Sequence, residues 1–171
     1  LDPEAIAIAR AHPLAQSSTA MRGVTVESEN GPVELVATSP ERALDPRLFL
    51  SVEASPQQAW QKVRDGAILL SEPLANRLGI SEAGGSLALL TPNGWQSFPI
   101  AGIYADYAST RGTVRMSLDV YRQLWSDDRL NGVALFLPPD ADVDAIVSDL
   151  RSQLTDFPEV HVNPSGLLRE E

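Results

Sequence analysis

Turn-forming residues recur along the whole chain, and they limit it to short helices and strands. Its 171 residues include 13 prolines and 11 glycines, which separate the apolar segments and are not gathered into one linker. Proline removes a backbone donor and glycine readily adopts positive φ, so both residues tend to end regular elements. No apolar segment approaches the roughly 18 residues that a membrane-spanning helix needs. The spacing therefore predicts a folded domain built from short, mixed elements.

Two β-hairpins are predicted from turn sequences that interrupt strand-like segments. Apolar and polar residues alternate from 20 to 36, and the alternation breaks at Asn30-Gly31, a strong signal for a two-residue hairpin turn. The sequence Thr-Pro-Asn-Gly at 91–94 separates two further strands. The predicted strands outside the first hairpin are 86–90, 95–104, 113–116 and 160–163, together with two apolar ones that are expected to be buried, 67–70 and 133–137.

Five helices are predicted, and their first residues carry most of the signal. Asp2 and Ser55 each precede a proline, which fits the first turn of a helix. Ser71 is expected to cap a third helix with its side chain. The fourth helix follows Ser117, and the fifth, 142–154, has apolar residues at helical spacing. The strands predicted on both sides of the fifth helix indicate a βαβ-like unit at the C-terminus.

The elements together predict an α+β fold. Helices and hairpins alternate at both ends of the chain, whereas the middle, from about 67 to 116, contains mostly strands. A length of 171 residues fits one domain, or one domain with an insertion.

Charge and cysteine content exclude several classes of function. The chain has 23 acidic and 13 basic residues and a net charge of −10, so a surface that follows a phosphate backbone is not expected and nucleic acid is not a predicted partner. The chain has no cysteine. Disulfides, thiolate zinc sites and cysteine nucleophiles are therefore excluded.

No pattern in the sequence indicates a catalytic, metal or cofactor site. The two histidines, His12 and His161, lie near opposite ends of the chain and have no third ligand at a suitable spacing. Ser71 lies between a strand and a helix, as a hydrolase nucleophile does, but the flanking glycines of that motif are missing. The aspartates at 140, 142 and 144 precede a helix and are expected to favour its N-terminus. A binding or mechanical role is therefore predicted, with a hydrolase using Ser71 or the acidic groups as the alternative.

The most distinctive segment is the loop from Tyr104 to Gly112. It follows a strand and combines aromatic, acidic and basic side chains. Exposed aromatic residues on a loop commonly anchor a partner, so four of its residues are candidates for contact with a partner or substrate. An equally good interpretation is that a tyrosine packs beneath its own loop. The candidates are Tyr104, Asp106, Tyr107 and Arg111.

Three consecutive segments resemble the extracytoplasmic domain of FtsX-like, MacB-type ABC transporter permeases. They are 68–80, with the sequence ILLSEPLANRLGI; 86–107, which ends in PIAGIYADY; and 112–121, GTVRMSLDVY. The strand at 133–137, followed by an aspartate-led helix, continues the same order. One departure is Gly84-Gly85-Ser86, which stands where many members have Gly-Asp before the strand.

The resemblance implies an architecture and a location. Domains of this family have a porter-like α/β layer built from both chain ends and an inserted, β-rich, sabre-like subdomain. In this chain the porter-like segments are expected at 1–66 and 131–171, and the sabre-like insertion at 67–130. Members carry membrane helices before and after the domain. The start at Leu1 and the charged end at 169–171 are accordingly expected to mark a segment of a longer inner-membrane protein, exposed to the periplasm.

The resemblance also implies a function without catalysis. Family members pair with a cytoplasmic ABC ATPase and use ATP to move this domain, exporting lipids, lipoproteins or peptides. The expected partners are therefore that ATPase, reached through the membrane part, and a periplasmic protein or a lipidic substrate. A dimer is expected in the full-length transporter. The alternative is a stand-alone periplasmic domain that binds a ligand or acts as an adaptor.

Overall fold

The structure is a computed structural model that describes residues 1–107 and 109–164, so the charged end at 169–171, which is expected to mark a segment of a longer protein, lies outside the described residues. The described chain contains helices and strands in mixed order, as an α+β fold requires. The helices are α1 (Pro3–Arg10), α2 (Pro56–Arg64), α3 (Glu72–Leu78), α4 (Leu118–Trp125) and α5 (Val143–Gln153). The strands are β1 (Ser17–Ser28), β2 (Gly31–Thr38), β3 (Phe49–Val52), β4 (Ile68–Ser71), β5 (Ser86–Thr91), β6 (Gly94–Tyr104), β7 (Thr113–Ser117) and β8 (Gly132–Phe136).

The chain divides into two compact units. The larger unit is continuous and comprises Ala20–Leu130, and the smaller one combines Leu1–Thr19 with the segment that begins at Asn131. Among the described residues, no helix is both long enough and apolar enough to cross a bilayer.

The larger unit is built on a sheet whose strands run in the order β2-β7-β4-β6-β5-β1. Because β1 also pairs with β2, this path of strands closes on itself. The pairs β2–β7 and β4–β6 are parallel, whereas β1–β2, β4–β7 and β5–β6 are antiparallel. Strand β3 adds to β6 in antiparallel direction. The sheet thereby joins segments that are up to about 80 residues apart in sequence.

Both predicted hairpins are confirmed, and both use the same local hydrogen bonds. In the first, the Ser28 hydroxyl donates to the Gly31 carbonyl at 2.7 Å and accepts from the Asn30 N–H at 3.1 Å. In the second, the Thr91 hydroxyl donates to the Gly94 carbonyl at 2.8 Å. A hydroxyl at the last residue of the first strand satisfies backbone groups that the turn leaves unpaired, which fixes the register of each hairpin.

The predicted helix caps are confirmed for three helices. An Asp2 carboxylate oxygen accepts from the Glu4 N–H at 2.8 Å. Ser55 Oγ accepts from the N–H of the third residue after it at 3.2 Å, and Asp142 does the same at the start of α5 at 3.1 Å. Each side chain satisfies one of the N–H groups that the first turn of a helix leaves free.

The C-terminal βαβ-like unit is a wrong prediction. Segment 160–163 is not a strand: the Val160 N–H closes a turn to the Phe157 carbonyl at 3.0 Å, and the Val162 carbonyl accepts from the Arg151 guanidinium at 2.8 Å. These local partners occupy groups that a strand would need for pairing. Strand β8 forms as predicted, but it is not buried; its residues are half-buried or exposed.

The smaller unit places α1 beside β8 and holds α1 to α5 through a buried histidine. His12 Nε2 lies 2.9 Å from an Asp149 carboxylate oxygen, and His12 Nδ1 accepts from the Leu14 N–H at 3.2 Å. Because Nδ1 accepts from the Leu14 N–H, the hydrogen-bond pattern places a proton on Nε2, which donates to Asp149. His12 therefore has a packing role in this unit.

The core of the larger unit includes the end of β6. Trp60 and Val63 of α2 pack with Leu69 of β4 and Tyr104 of β6 in one buried cluster. The Trp60 indole N–H donates to the Pro40 carbonyl at 3.0 Å, so the buried ring has its polar atom satisfied. Strand β3, which the sequence analysis did not predict, packs against this cluster through Phe49 and Val52.

The 104–112 loop ends in a close contact with α3. Gly112 has φ +88°, and a Cβ added there would lie 2.4 Å from Leu74 Cβ. The next N–H, that of Thr113, donates to Ser71 Oγ at 2.8 Å. Ser71 precedes α3 as predicted, but its side chain makes no cap hydrogen bond, and the predicted capping role is wrong. The hydroxyl is fully buried and is used instead to join α3 to β7.

A carboxylate after α4 joins that helix to β1. Asp127 accepts from Arg22 Nε at 2.9 Å, from Arg129 Nε at 2.8 Å and from the Tyr121 hydroxyl at 2.6 Å. The Arg129 hydrogen bond, followed by that of Tyr121, holds the pKa of Asp127 well below its usual range. The Arg22 and Asp127 side chains are only 13% and 12% exposed, so this pair is partly shielded from solvent.

Replacing Gly112 by alanine should destabilise the protein more than the same change at another glycine with positive φ. Gly66 is the matched control, because its φ is +114° and an added Cβ meets nothing within 4 Å. Gly66→Ala should cost about 1 kcal/mol from backbone strain. Gly112→Ala should cost about 1–3 kcal/mol more, since the new methyl overlaps Leu74. Urea unfolding measures both, and equal losses would contradict the close contact.

Asp127→Asn should lower the free energy of unfolding by about 1–3 kcal/mol at pH 7, because it leaves the shielded Arg22 without its charged acceptor. Asp128→Asn is the control; that side chain is 94% exposed, and its ion pair with Arg122 is long, at 3.9 Å. Because the pKa of Asp127 is lowered in the folded state, its contribution is present above about pH 4 and is lost as the pH falls. The difference between wild type and Asp127→Asn, measured by urea unfolding, should therefore shrink from pH 4 to pH 2.

Candidate functional site

Tyr104, the first predicted contact residue, is buried and not exposed. It closes β6 and is 1% accessible, and the Arg115 guanidinium lies over its ring at 5.2 Å from the centroid. Its hydroxyl donates to an Asp106 carboxylate oxygen at 3.3 Å. Burial, the largest cause, raises the pKa of Tyr104 to about 12. These contacts favour the packing interpretation for this tyrosine, and Asp106, which is half-buried, takes part in the packing.

Tyr107 has the opposite environment. It is 66% exposed, and its hydroxyl donates to a carboxylate oxygen of Glu72, the first residue of α3. This hydrogen bond is the main reason that the pKa of Tyr107 is raised, because ionisation would place two negative charges side by side. The ring is therefore held by its hydroxyl while its faces remain open to solvent.

Arg111 is exposed and borders an open concavity of about 470 Å³ in the larger unit. The concavity lies between the end of α3, the turn of the first hairpin and the 104–112 loop. Its lining residues are Asn30, Pro32, Arg77, Leu78 and Arg111. Arg77 Nη2 donates to the Pro32 carbonyl at 3.4 Å, which connects α3 to the hairpin at the wall of this concavity.

Tyr107 and Arg111, two of the exposed residues of the loop, thus lie at the two ends of one helix. Tyr107 binds the first residue of α3, and Arg111 lines a concavity with Arg77 and Leu78 from its last turn. A helix of seven residues is about 10 Å long, so these two contacts are separated by roughly the length of the helix. The loop and α3 together form a surface that offers an aromatic ring at one end and cationic groups at the other.

Arg77 and Asn30 also belong to this surface, although no sequence pattern predicts it. An arginine in the last turn of a helix is already accounted for by the helix dipole, and an asparagine before glycine is accounted for by the hairpin turn. Only their proximity to Arg111 distinguishes them, and that proximity comes from the pairing of β2 with β7 and the packing of Gly112 on Leu74.

Two further surface features of the larger unit are weaker candidates for a binding site. Trp95 is 58% exposed and faces Leu90 across the tip of the second hairpin, so this tip is apolar. A second concavity, of about 260 Å³, is lined in part by Arg22, Arg129 and Trp125. Both of these arginines already bind Asp127, so their charges are largely compensated.

Sequence comparison relates the chain to a transporter. It is 27% identical over 139 residues to an uncharacterized ABC transporter permease of Mycobacterium tuberculosis. The match covers 81% of this chain but only 16% of that permease, so the chain corresponds to a small part of its relative. No protein-family model matches the chain.

Two of the solved structures with the same fold are extracytoplasmic parts of transporters, and a third is a domain of a permease. The extracellular domain of the noncanonic ABC-type transporter YknZ, from Gram-positive bacteria, superimposes with a TM-score of 0.59 at 11% identity, covering 95% of this chain and 86% of that domain. The periplasmic region of MacB from Actinobacillus actinomycetemcomitans gives 0.54 at 12% identity, covering 88% and 72%. A permease domain from Porphyromonas gingivalis gives 0.51 at 15% identity, covering 96% and 71%.

The two kinds of comparison are independent of each other and agree. The sequence relative is a permease, and the structural neighbours show that this α+β fold occurs in the parts of permeases that lie outside the cytoplasm. The resemblance of this chain to the extracytoplasmic domains of MacB- and FtsX-type ABC transporter permeases is therefore confirmed.

Proposed function

We propose that the chain is a non-catalytic extracytoplasmic domain of an ABC transporter permease, which binds a substrate or partner and relays movement driven by ATP. The main support is that similarity to extracellular and periplasmic domains of such transporters extends over 88–95% of the chain. In this proposal the whole protein lies in the inner membrane with this domain in the periplasm, and a cytoplasmic ATPase drives export of a lipid, lipoprotein or peptide.

The proposed architecture retains the predicted division into porter-like segments, 1–66 and 131–171, and a sabre-like insertion, 67–130. The compact unit that contains the proposed insertion begins earlier, at Ala20, because the first hairpin pairs with β5 and β7. The end of the insertion and the end of that unit coincide at residue 130. The function of each segment in transport is part of the proposal.

A relay of movement requires a contact surface that is firmly attached to the rest of its unit. The 104–112 loop has this property at three points: the Tyr107 hydroxyl binds Glu72, Gly112 packs on Leu74, and Thr113 binds Ser71. All three points lie in or directly before α3, which follows β4 in the centre of the sheet. A force applied to the exposed loop would therefore pass directly to α3 and the sheet. We propose Tyr107 and Arg111 as the contact residues on this surface.

The location can be tested with a single cysteine in the full-length permease, since this segment has none of its own. Asn93→Cys places the thiol at the exposed tip of the second hairpin. In a permease whose other cysteines are replaced, a membrane-impermeant maleimide added to intact spheroplasts should label this site. Labelling only after the membrane is permeabilised would contradict the proposed periplasmic location.

Tyr107→Ala should reduce transport by the full-length permease with its ATPase while changing the free energy of unfolding of this domain by less than about 1 kcal/mol. Tyr107→Phe keeps the ring and loses the hydrogen bond to Glu72, so it separates the contribution of the exposed ring from that of the hydroxyl. Tyr104→Ala is the contrasting variant and should cost about 3–5 kcal/mol, because it empties a buried site. Export assays and thermal unfolding measure the two effects. Normal transport by Tyr107→Ala would remove Tyr107 from the contact surface.

A further inference from the structure

We propose that the concavity between Arg77 and Arg111 binds a phosphate group carried by a small molecule. The inference goes beyond the proposed transport function, because it assigns a ligand chemistry to a surface of this chain whether or not the chain acts in export. It rests on the donors that line the concavity, on the charge balance of the protein and on the contacts that hold the two arginines in place.

The lining of the concavity offers hydrogen-bond donors and no acidic group. Its lining residues include Arg77, Arg111 and Asn30, whose side chains carry guanidinium and amide donors. Among the described residues, Arg111 has no hydrogen bond or ion pair, and Arg77 makes one bond of 3.4 Å to the Pro32 carbonyl. Most of the donor capacity of both guanidiniums is therefore unused.

This pair of arginines lies in a protein with a net charge of −10. Several other basic side chains of the larger unit are engaged by carboxylates, Arg22 and Arg129 by Asp127 and Lys62 by Glu53, whereas Arg64 bonds to a backbone carbonyl. With 23 acidic residues in the chain, an arginine has many potential partners. Two neighbouring cations without a carboxylate repel each other, and a bound anion would remove that repulsion.

The two arginines come from different elements and are brought together by tertiary contacts. Gly112 packs on Leu74, which fixes the neighbouring Arg111 beside α3, and Arg77 is one turn after Leu74 on the same helix. The Arg77–Pro32 bond fixes the turn of the first hairpin at the same place. The concavity is thus bordered by backbone segments that the fold holds in position.

The arrangement fits a phosphate better than a carboxylate. A carboxylate is satisfied by one guanidinium, with two parallel hydrogen bonds in one plane. A phosphate presents three oxygens in a tetrahedral arrangement and can bind two guanidiniums and an amide together. The volume of about 470 Å³ also leaves room for an organic part of the ligand beside the apolar edges of Pro32 and Leu78.

The overall charge favours a small ligand over an extended anionic surface. At long range, where a ligand interacts with the net charge of the protein rather than with single side chains, the charge of −10 repels polyanions and anionic bilayers. At contact distance the two guanidiniums dominate, so a single phosphate is attracted once it has reached the concavity.

The test is titration of the purified 171-residue chain with inorganic phosphate and with glycerol 3-phosphate, in low-salt HEPES buffer, by calorimetry. We expect a dissociation constant of about 1 mM or lower, one site per chain, and weakening by added NaCl. Acetate is the carboxylate control and should bind at least about tenfold more weakly. A third arm measures sedimentation of the chain with phosphatidylcholine vesicles that contain phosphatidic acid, which distinguishes a lipid headgroup from a free phosphate.

The variants Arg77→Gln and Arg111→Gln should each weaken phosphate binding by about tenfold or more. Arg64→Gln is the matched control: it removes the same charge from an exposed arginine of the larger unit that does not line the concavity, and it should leave binding unchanged. Arg111→Gln should also keep the thermal stability of the phosphate-free chain, since Arg111 has no partner among the described residues. Loss of binding in this variant therefore cannot be explained by unfolding.

Three results would overturn the proposal: no binding of either phosphate compound at 10 mM (about tenfold above the expected dissociation constant), equal binding of acetate, or binding that survives in both arginine variants. Arginine-dependent binding to the vesicles without binding of the free phosphates would also overturn it and would identify a lipid headgroup as the ligand. None of these results bears on the location of the domain, which the cysteine labelling measures separately.

Discussion

The contact between Gly112 and Leu74 determines where the 104–112 loop and the start of β7 lie relative to α3. An added Cβ would lie 2.4 Å from Leu74 Cβ, so the backbone at 112 touches α3 with no space between them. This approach brings the Thr113 N–H to the buried Ser71 hydroxyl, starts β7 beside β4 and leaves Arg111 at the far end of α3. Glycine is required for two separate reasons, the positive φ and the lack of a side chain. The surface formed by α3 and the loop depends on both.

Most of the fold could be predicted because its signals are local. The two hairpins are encoded by turn sequences, in which the hydroxyls of Ser28 and Thr91 form hydrogen bonds with the residue three positions later. The helix starts at Asp2, Ser55 and Asp142 are encoded by N-cap side chains. The errors depend on contacts that lie outside the predicted segments themselves. Strand β3 exists because β6 is there to pair with it, and segment 160–163 is not a strand because Arg151 occupies the carbonyl of Val162.

Only the part of the candidate site that lies in the 104–112 loop could be predicted from the sequence. The unusual composition of 104–112 predicts contacts at Tyr107 and Arg111, both of which are exposed. It equally predicts a contact at Tyr104, whose burial depends on the packing of α2 and Arg115. Arg77 and Asn30 join the surface through strand pairing and helix packing over separations of more than 30 residues. Local patterns give no information about such convergence, so these residues could be identified only in the folded structure.

The mechanical proposal and the ligand proposal involve the same group of contacts. The concavity is bordered by the hairpin turn, the end of α3 and the end of the loop, and the Arg77–Pro32 bond of 3.4 Å is the one direct side-chain link between the first two that is found among the described residues. A phosphate held by both arginines would connect all three segments and reduce their independent motion. A relay of movement through α3 requires that the loop and α3 move together. If the loop moves separately from the helix, its displacement is not transmitted to the sheet. Phosphate binding at Arg77 and Arg111 would therefore make the hairpin turn, the end of α3 and the loop more rigid. This rigidity would improve the transmission of movement from the loop to α3 without any change of fold.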